Sequence, residues 1–425
     1  MSKENTAKAR KSLLTETLIA VLMTVSAATF GPAYSQTTEG QYVGAAIERV
    51  ATGLAGRIGF AAQEIGGVDV IAFNGDETFA MASTYKVAIA VAIMDRVDRR
   101  ELSLDQMVEI TPDMMMIGDA ALSDTFVHPG LQLSVANLME IMITESDNTA
   151  TDTLIGLAGG AAAVTENLRR LGIADFRVDR TTGEIIGEFY GLPGPATMKV
   201  AIEAFKTNPE LATIVSDRNL DFEADPRDHA TPLAMLQLLL AIDSGTAMSA
   251  ESRDFLIDVM SRTRTGAGRL KGLLPRGTPV AHKTGTIGGV ANDVGYITLP
   301  DGRRFAIAVF TKSSETSEAD RDRAIAEVAR SLFDYFYLGQ MAKQQKGKLR
   351  RARSACAILH CEDRTFREEP SLSRQGKSGE DSNAKEKPSE EPNETNTCPA
   401  CFVATVRHTG TRTAGHDTGR GPGDL

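Results

Sequence analysis

The sequence predicts an α/β (α+β) fold, in which helices flank an antiparallel sheet built from N- and C-terminal segments. Strand-like runs lie far apart, before residue 80 and after residue 278, and the stretch between them has helical patterns. The chain has 425 residues, of which 42% are hydrophobic, so it can bury a sizeable core. We therefore expect the sheet to be interrupted by an inserted all-α domain.

The N-terminal part of the predicted sheet domain begins with a helix at Val43–Thr52. Two strand-like runs follow, Arg57–Glu64 and Val68–Phe73, and the second continues to Thr78-Phe79. Between Phe73 and Thr78, Asn74-Gly75-Asp76 is typical of a hairpin turn, because these residue types tolerate the positive φ that such turns require. We expect a β-hairpin at this point.

The middle of the chain supplies the inserted helices, and its later part supplies the remaining strands. Predicted helices are Ser134–Thr144, Ala150–Leu157, Ala162–Leu171 and one that begins at Thr231-Pro232. Predicted strands are Thr278–Thr286, Asp293–Leu299 and Arg303–Thr311, followed by an amphipathic helix at Glu318–Leu338. The domains are then a sheet domain at 43–82 and 246–338 and an all-α domain at 83–245, with a long loop at 177–228.

Both ends of the chain differ in composition from this globular part. Residues 1–35 are typical of a signal peptide, with a basic start, an apolar stretch at Leu18–Ala28 and small residues in Ala33-Tyr34-Ser35. Residues 339–425 are rich in charge, Ser, Pro and Gly without apolar periodicity, so we expect a disordered tail. All four cysteines lie in this tail, in a spacing that is not a clean zinc pattern. We expect no metal and no cofactor.

The net charge and the leader bear on partners and location. The net charge is −10, and basic residues are dispersed through the globular part, which argues against nucleic acid as the main partner. The apolar stretch of the leader is short for a membrane span. We expect a periplasmic or secreted monomer without a stable membrane anchor after cleavage.

A serine and a lysine are placed together at the predicted start of a helix. Ser83 precedes Lys86 by three residues, and residues three apart share a helix face. The ordinary interpretation is an N-capping serine. The following run, Val87–Met94, is apolar, and a lysine desolvated on such a face favours the neutral amine that can take the proton of a serine. The pair is a candidate nucleophile and base.

Two further motifs accompany this pair. Ser146-Asp147-Asn148 lies between two predicted helices, and Lys283-Thr284-Gly285-Thr286 ends a predicted strand, where the glycine lets a ligand approach the strand closely. Alone, each motif is common. The order S-x-x-K, S-D-N and K-T-G, on a helix start, a loop and a strand, is the set found in class A β-lactamases and penicillin-binding proteins.

With these motifs, the sequence resembles class A serine β-lactamases over residues 43–338. The resemblance implies that Ser83 is acylated by a β-lactam and that Lys86 accepts or relays its proton. It also implies that Ser146 passes a proton to the departing lactam nitrogen while Lys283 keeps the local field positive. The substrate is a small-molecule β-lactam.

The same resemblance implies a set of substrate-binding residues. Asn148 would bond the amide side chain of the substrate, and the segment Thr284, Gly285 and Thr286 would hold its carboxylate and acyl edge. Backbone N–H groups of Ser83 and Thr286 would form the oxyanion hole. Arg269 corresponds to an arginine that some relatives direct at the carboxylate; the alternative is a surface arginine.

One residue that the resemblance implies is absent. Class A enzymes hydrolyse the acyl-enzyme with water activated by a glutamate that follows an R-x-D-R-like segment, here Arg177–Arg180. The expected position of the glutamate is Thr182, and a threonine alone cannot be that base. We expect Glu184 to take the role. Other candidates on the predicted loop are Glu188, Glu210 and Glu223.

Three functions follow from these residues. The leading one is a serine β-lactamase that confers antibiotic resistance. The second is a D-alanyl-D-alanine peptidase, and the third is a slow-turnover penicillin-binding or sensing protein, which the missing glutamate favours. The outcome depends on whether a base activates water for deacylation.

Overall fold

The computed structural model describes residues 38–118, 121–126, 128–211 and 218–339. The predicted signal peptide, the predicted disordered tail and the cysteines lie outside the described residues. No helix within the described ranges is long and apolar enough to cross a membrane.

The described residues form nine strands and twelve α-helices. The strands are β1 (Arg57–Glu64), β2 (Val70–Phe73), β3 (Phe79–Ala80), β4 (Met107–Ile110), β5 (Leu131–Ser134), β6 (His229–Ala230), β7 (Val280–Ile287), β8 (Val290–Thr298) and β9 (Arg304–Lys312). The helices are α1 (Thr38–Gly53), α2 (Lys86–Asp98), α3 (Ala121–Thr125), α4 (Val135–Thr144), α5 (Asn148–Ala158), α6 (Ala161–Arg170), α7 (Thr182–Tyr190), α8 (Met198–Thr207), α9 (Leu220–Ala224), α10 (Pro232–Asp243), α11 (Ala250–Ser261) and α12 (318–339).

A five-stranded antiparallel sheet in the order β2-β1-β9-β8-β7 forms the centre of the fold. Its N-terminal strand β1 pairs along its whole length with β9, with Phe60 opposite Val309. The sequence predicts a mixed α/β fold with a sheet built from distant segments, and this prediction is confirmed. Helices cover both faces of this sheet, which explains why its central strands are buried on both sides.

The alternation of side chains along β9 divides the core into two layers. Phe305, Ile307 and Val309 point to one face and pack with α1 and α12, through residues such as Ile47. Ala306, Ala308 and Phe310 point to the other face and pack with the internal helices. Successive residues of a strand point to opposite faces, so one strand serves both layers. The predicted boundary between a sheet domain and an all-α domain stays a prediction, because the second layer joins sheet and helices in one core.

The helix starts follow from local side-chain caps. Ser134, Asp147, Thr181, Thr231 and Ser249 each accept a hydrogen bond from a backbone N–H in the first turn of the helix that follows. Such caps satisfy donors that the helix itself leaves unpaired. They place α4, α5, α7, α10 and α11 close to where Ser, Thr and Asp occur in the sequence.

One expectation is wrong. The predicted hairpin at Asn74-Gly75-Asp76 does not form, because β3 pairs with β6 in a separate two-stranded sheet, and β2 pairs with β1 instead. The segment predicted as a long loop, 177–228, contains the short helices α7, α8 and α9. Its Thr181 and Thr197 caps are local signals of these helix starts.

Candidate active site

A pocket of about 790 Å³ lies between the end of β7, the turn before α2, and the first turns of α5, α7 and α12. Its size is within the range of small-molecule sites, roughly 300–1,000 Å³. The predicted site residues that line it are Ser83, Ser146, Asn148, Arg269, Thr284, Gly285 and Thr286. The fold therefore brings together three motifs that lie up to two hundred positions apart in the chain.

Ser83 lies in a tight 3₁₀ turn, Ala82–Tyr85, rather than at the N-cap of a helix. The preceding residue Ala82 has φ of 45°, in the left-handed region that is unfavourable for a residue with a Cβ. The amide of Asn292 on β8 donates to the carbonyl oxygens of Ala80 and Met81, at 2.9 and 3.0 Å, and so holds the turn against the sheet. Ser83 is partly exposed to the pocket.

Gly285 explains how β7 comes so close to this turn. A Cβ at Gly285 would lie 2.8 Å from the nitrogen of Ser83 and 2.6 Å from the carbonyl oxygen of Met81. These separations are shorter than van der Waals contact, so only a glycine fits. The sequence predicts a close approach at this glycine; the group that approaches is the backbone of the Ser83 turn rather than a ligand.

Lys86 is fully buried, and hydrogen bonds to the S-D-N segment fix its side-chain nitrogen. Its Nζ donates to the carbonyl oxygen of Ser146 at 2.5 Å, to Oδ1 of Asn148 at 2.9 Å and to Oγ of Ser146 at 3.2 Å. The first residue of α2 is thereby tied to the loop before α5. Lys86 thus links the Ser83 turn to Ser146.

Ser146 is also held by the second lysine. The Nζ of the buried Lys283 donates to Oγ of Ser146 at 3.0 Å and to the carbonyl oxygen of Thr284 at 2.8 Å. Ser146 has φ of 64°, and the next residue, Asp147, caps α5 through Oδ1 and accepts from the backbone of Leu122 through Oδ2. Burial raises the pKa of the Asp147 carboxyl. The S-D-N segment is therefore a fixed platform.

Asn148 has one orientation only. Its Nδ2 donates to the carbonyl oxygens of Ile117 and Gly118, at 3.1 and 2.8 Å, so Oδ1 must face Lys86. The structure places Asn148 at the pocket, as predicted, with its side-chain amide positioned by these three contacts.

Arg269 lies under the substrate-facing end of β7. It is only 3% exposed, so the alternative of a surface arginine is wrong. Its guanidinium donates to Oγ1 of Thr286 at 2.7 Å and to Asp322 of α12 at 2.6 Å. The hydroxyls of Thr284 and Thr265 bond each other at 2.5 Å. This end of the pocket is lined by a paired cation and two threonines.

The structure does not bring Glu184 to the pocket. Its carboxylate accepts from the backbone N–H of Thr181 at 2.8 Å, in a capping box on an exposed turn of α7. Glu188 binds Arg180 and Arg227, and Glu223 accepts from Ser313. Within the described ranges, Glu184, Glu188, Glu210 and Glu223 are absent from the pocket lining, so the expectation that Glu184 replaces the missing glutamate is wrong.

Thr182 does line the pocket, within a cluster that the sequence did not reveal. Its hydroxyl lies 2.6 Å from the hydroxyl of Tyr85 and also bonds the carboxylate of Asp152. Asp152 accepts from the backbone N–H groups of Thr182 and Gly183, at 2.6 and 2.9 Å. Burial raises the pKa of both Asp152 and Tyr85. The one signal in the sequence is that Asp152 follows Asn148 by four residues, on the same face of α5.

A second cluster fastens the base of α7 to residues 225–228. The buried Arg180 donates from Nε to Asp228 at 2.6 Å, and Oδ1 of Asp228 accepts from the backbone N–H groups of Asp179 and Arg180. Arg227 bonds Asp225 and holds the pKa of that carboxyl at about 2. The positions of α7 and Thr182 depend on this latch, which we define as Asp179, Arg180, Asp225, Arg227 and Asp228.

The geometry by itself defines a class of protein. A partly exposed serine on a strained turn, beside a buried lysine that bonds a second serine, is the arrangement of an acyl-transferring serine hydrolase. A model of the β-lactamase enzyme family matches residues 43–336. The chain belongs to this family, and within it to the class A serine β-lactamases.

Curated relatives and solved structures agree with this family assignment. A β-lactamase of Bacteroides uniformis is 31% identical over 275 residues, which cover 63% of this chain and 82% of that protein. The β-lactamase VEB-1 of Pseudomonas aeruginosa is 32% identical over 300 residues, 68% of this chain and 89% of that protein. The crystal structure of a β-lactamase from Chitinophaga pinensis has a TM-score of 0.57 and 30% identity, covering 69% of this chain and 98% of its own. An ancestral class A β-lactamase has a TM-score of 0.57 and 31% identity, covering 69% and 99%.

The protein is therefore an enzyme that hydrolyses β-lactams. The predicted family, fold class and hydrolysis of β-lactams are confirmed by these comparisons. The alternative of a D-alanyl-D-alanine peptidase or slow-turnover binder is not favoured.

Proposed function

We propose that this enzyme opens the β-lactam ring through an acyl-enzyme on Ser83, and that Lys86, Ser146 and Lys283 move and stabilise the protons of acylation. The observation that supports this most directly is the set of hydrogen bonds that joins both lysines to Oγ of Ser146, at 3.2 and 3.0 Å. Ser83 lines the same pocket and is partly exposed to it.

Lys86 carries the proton from Ser83 to Ser146. Its Nζ donates to the carbonyl oxygen of Ser146 and to Oδ1 of Asn148, and it lies 3.2 Å from Oγ of Ser146. As an amine it takes the proton of Ser83 on attack, and as an ammonium group it then donates to Oγ of Ser146.

Ser146 then delivers a proton to the lactam nitrogen. Lys86 and Lys283 occupy both lone pairs of its oxygen, so the hydroxyl hydrogen is left to point to a third partner. When the C–N bond of the ring breaks, this hydrogen goes to the nitrogen, and Lys86 replaces it. Lys283 keeps the potential positive while negative charge develops.

Substrate binding uses the edge of β7 and the S-D-N segment. Asn148 bonds the side-chain amide of the β-lactam; Thr284, Gly285 and Thr286 hold its carboxylate and acyl edge. Arg269 supports Thr286, with part of its charge balanced by Asp322. Backbone N–H groups of Ser83 and Thr286 stabilise the oxyanion, each worth about 3 kcal/mol.

A mass-spectrometric time course with benzylpenicillin tests this proposal. We expect the intact protein to gain the mass of the drug transiently, the adduct to map to Ser83, and the drug to be consumed. Ser83→Ala should abolish both the adduct and the turnover. An adduct on another residue, or turnover that survives in Ser83→Ala, contradicts the assignment.

We further propose that the enzyme acts as a monomer in the periplasm or outside the cell, where it confers β-lactam resistance. The predicted signal peptide at 1–35 supports export. N-terminal sequencing of the protein from cell fractions should find a start after Ser35. A full-length N-terminus in the cytoplasm would contradict export.

A further inference from the structure

We infer that water is activated for deacylation by a relay in which Thr182 contacts the water and Asp152 receives the proton. This inference rests on the proposed acyl-enzyme at Ser83 and supplies the step for which the sequence offers no glutamate. In this assignment Thr182 is the catalytic residue, and Asp152 and Tyr85 act through it.

The direction of the hydrogen bonds around Thr182 follows from elementary chemistry. An ionised carboxylate only accepts, so the hydroxyl of Thr182 donates to Asp152. Since Thr182 has one hydroxyl proton, Tyr85 must donate in the 2.6 Å contact between the two hydroxyls. One lone pair of the Thr182 oxygen is then filled by Tyr85, and the other is left for a third donor. Thr182 lines the pocket with Ser83, so that donor is a water beside the acyl group.

Asp152 is held in place by the structure around it. Its two oxygens accept from the first two N–H groups of α7, at 2.6 and 2.9 Å, and its own helix α5 carries Asn148 one turn earlier. A Cβ at Gly183 would lie 3.1 Å from Oδ2 of Asp152, so the carboxylate packs directly against the α7 backbone. Unlike the four glutamates named above, Asp152 is bonded to a pocket-lining hydroxyl.

The proposed step balances. The oxygen of water forms a bond to the acyl carbon while its proton moves to Thr182 and the Thr182 proton moves to Asp152. When the bond from the acyl carbon to Oγ of Ser83 breaks, the proton returns through Thr182 to Ser83. The carboxylate and both hydroxyls are then restored, and the product acid leaves.

The charged and titratable groups around Asp152 give the relay a pH signature. Lys86 on α2 favours the carboxylate form, whereas burial, the larger effect, raises the pKa of Asp152. Tyr85 faces it through Thr182, and Arg180 and Asp228 act on Tyr85 from the latch. The deacylation rate should therefore fall with decreasing pH at a midpoint above that of an ordinary aspartate.

The test separates acylation from deacylation by following the benzylpenicillin adduct in the full-length enzyme. Thr182→Val and Asp152→Asn should each slow decay of the adduct by about 100-fold or more while it forms at the wild-type rate. Thr182→Ser, which keeps the hydroxyl, should restore most of the decay. Thr153→Val is the matched control, because its buried hydroxyl on α5 bonds the carbonyl oxygen of Thr149, within its own helix.

In Asp152→Asn the deacylation rate should no longer fall as the pH decreases. A purely structural role of Asp152, in which it only holds the backbone of α7, would not remove this pH dependence. Wild-type decay in Thr182→Val overturns the inference, as does an unchanged pH dependence in Asp152→Asn. Trapping of the adduct in Glu184→Gln would assign the base to Glu184 instead. If the wild-type enzyme neither forms an adduct nor consumes benzylpenicillin, the proposed function itself fails, and this inference fails with it.

Discussion

Lys86 and Lys283 converge on one oxygen, since Oγ of Ser146 lies 3.2 Å from the first Nζ and 3.0 Å from the second. Both ammonium groups are fully buried, and they reach this oxygen from different parts of the fold, one from α2 and the other from β7. The hydroxyl is therefore the point at which the helical and sheet parts of the site meet.

Removing this hydroxyl should affect acylation first. Ser146→Ala leaves the lactam nitrogen without its proton donor, and we expect acylation by benzylpenicillin to slow by about 100-fold or more. Stopped-flow detection of ring opening measures this rate. The control is Ser252→Ala, which removes a buried hydroxyl bonded to Asp98, away from the pocket lining. Unchanged acylation in Ser146→Ala would mean that the proton reaches the nitrogen by another path.

Gly285→Ala should damage the enzyme by displacing the Ser83 turn. The added Cβ would meet backbone atoms, including the Ser83 nitrogen at 2.8 Å, and backbone cannot move aside as a flexible side chain can. We expect a loss of stability of about 1–3 kcal/mol from overpacking, together with slower acylation, measured by urea unfolding and adduct formation.

A glycine in open space provides the comparison for that variant. Gly156 lies in α5, and among the described residues no atom outside its own helix turn lies within 4 Å of the position that an added Cβ would take. Gly156→Ala should stabilise the protein by about 0.5–1 kcal/mol, because alanine is the better helix former. Equal effects of the two substitutions would contradict the steric argument.

The buried Arg180–Asp228 pair of the latch should contribute far more to stability than the exposed Arg177–Asp179 pair beside it. The side chains of Arg180 and Asp228 are 6% and 7% exposed. In Asp228→Asn, an NH₂ group replaces one of the two carboxylate oxygens, so either the Arg180 guanidinium or the backbone N–H groups of Asp179 and Arg180 lose their acceptor. We expect a loss of about 3–5 kcal/mol, as when a buried ion pair is broken. Arg177→Ala removes a partner of Asp179 that is 48% exposed and should cost less than about 1 kcal/mol. Urea denaturation of both variants measures the difference.

Acid should weaken the latch through Asp225. Its pKa is lowered to about 2, chiefly by the hydrogen bond from Arg227, against an ordinary value of 3.8. The unfolded chain therefore takes up this proton at a higher pH than the folded enzyme does, so the stabilisation is complete above about pH 4 and is lost as the pH falls towards about 2. Asp225→Asn should lower the stability at about pH 6 and flatten its dependence between about pH 4 and pH 2. An unaltered slope in urea midpoints over that range would contradict the assignment.

The predictable part of the site consists of residues whose position follows from a local motif. Ser83 lies in the turn before α2, Ser146 lies just before α5 and Lys283 lies within β7. Each belongs to a short sequence motif, and the fold brings the three motifs to one site. Asn292 and Asp152 could not be predicted, because each acts on a segment that is distant in the chain and that only tertiary packing brings near.

The incorrect expectations have the same origin. Asn74-Gly75-Asp76 has the local chemistry of a hairpin, yet β3 gains a partner in β6, which no local pattern indicates. Glu184 is nearest in sequence to the expected base, but a carboxylate at the third position of α7 is better placed to close a capping box with Thr181. Competition between local and distant partners decides both cases.

The pairing of β1 with β9 has a consequence for biosynthesis. In a chain that is made from its N-terminus, Ser83 is synthesised early, but β1 lacks its partner β9, and β7 with Lys283 is absent, until the last strands have been synthesised. Such non-local pairing slows folding. The active site is thus incomplete until β7, β8 and β9 have paired, so hydrolysis of β-lactams begins only when the last strand joins the sheet.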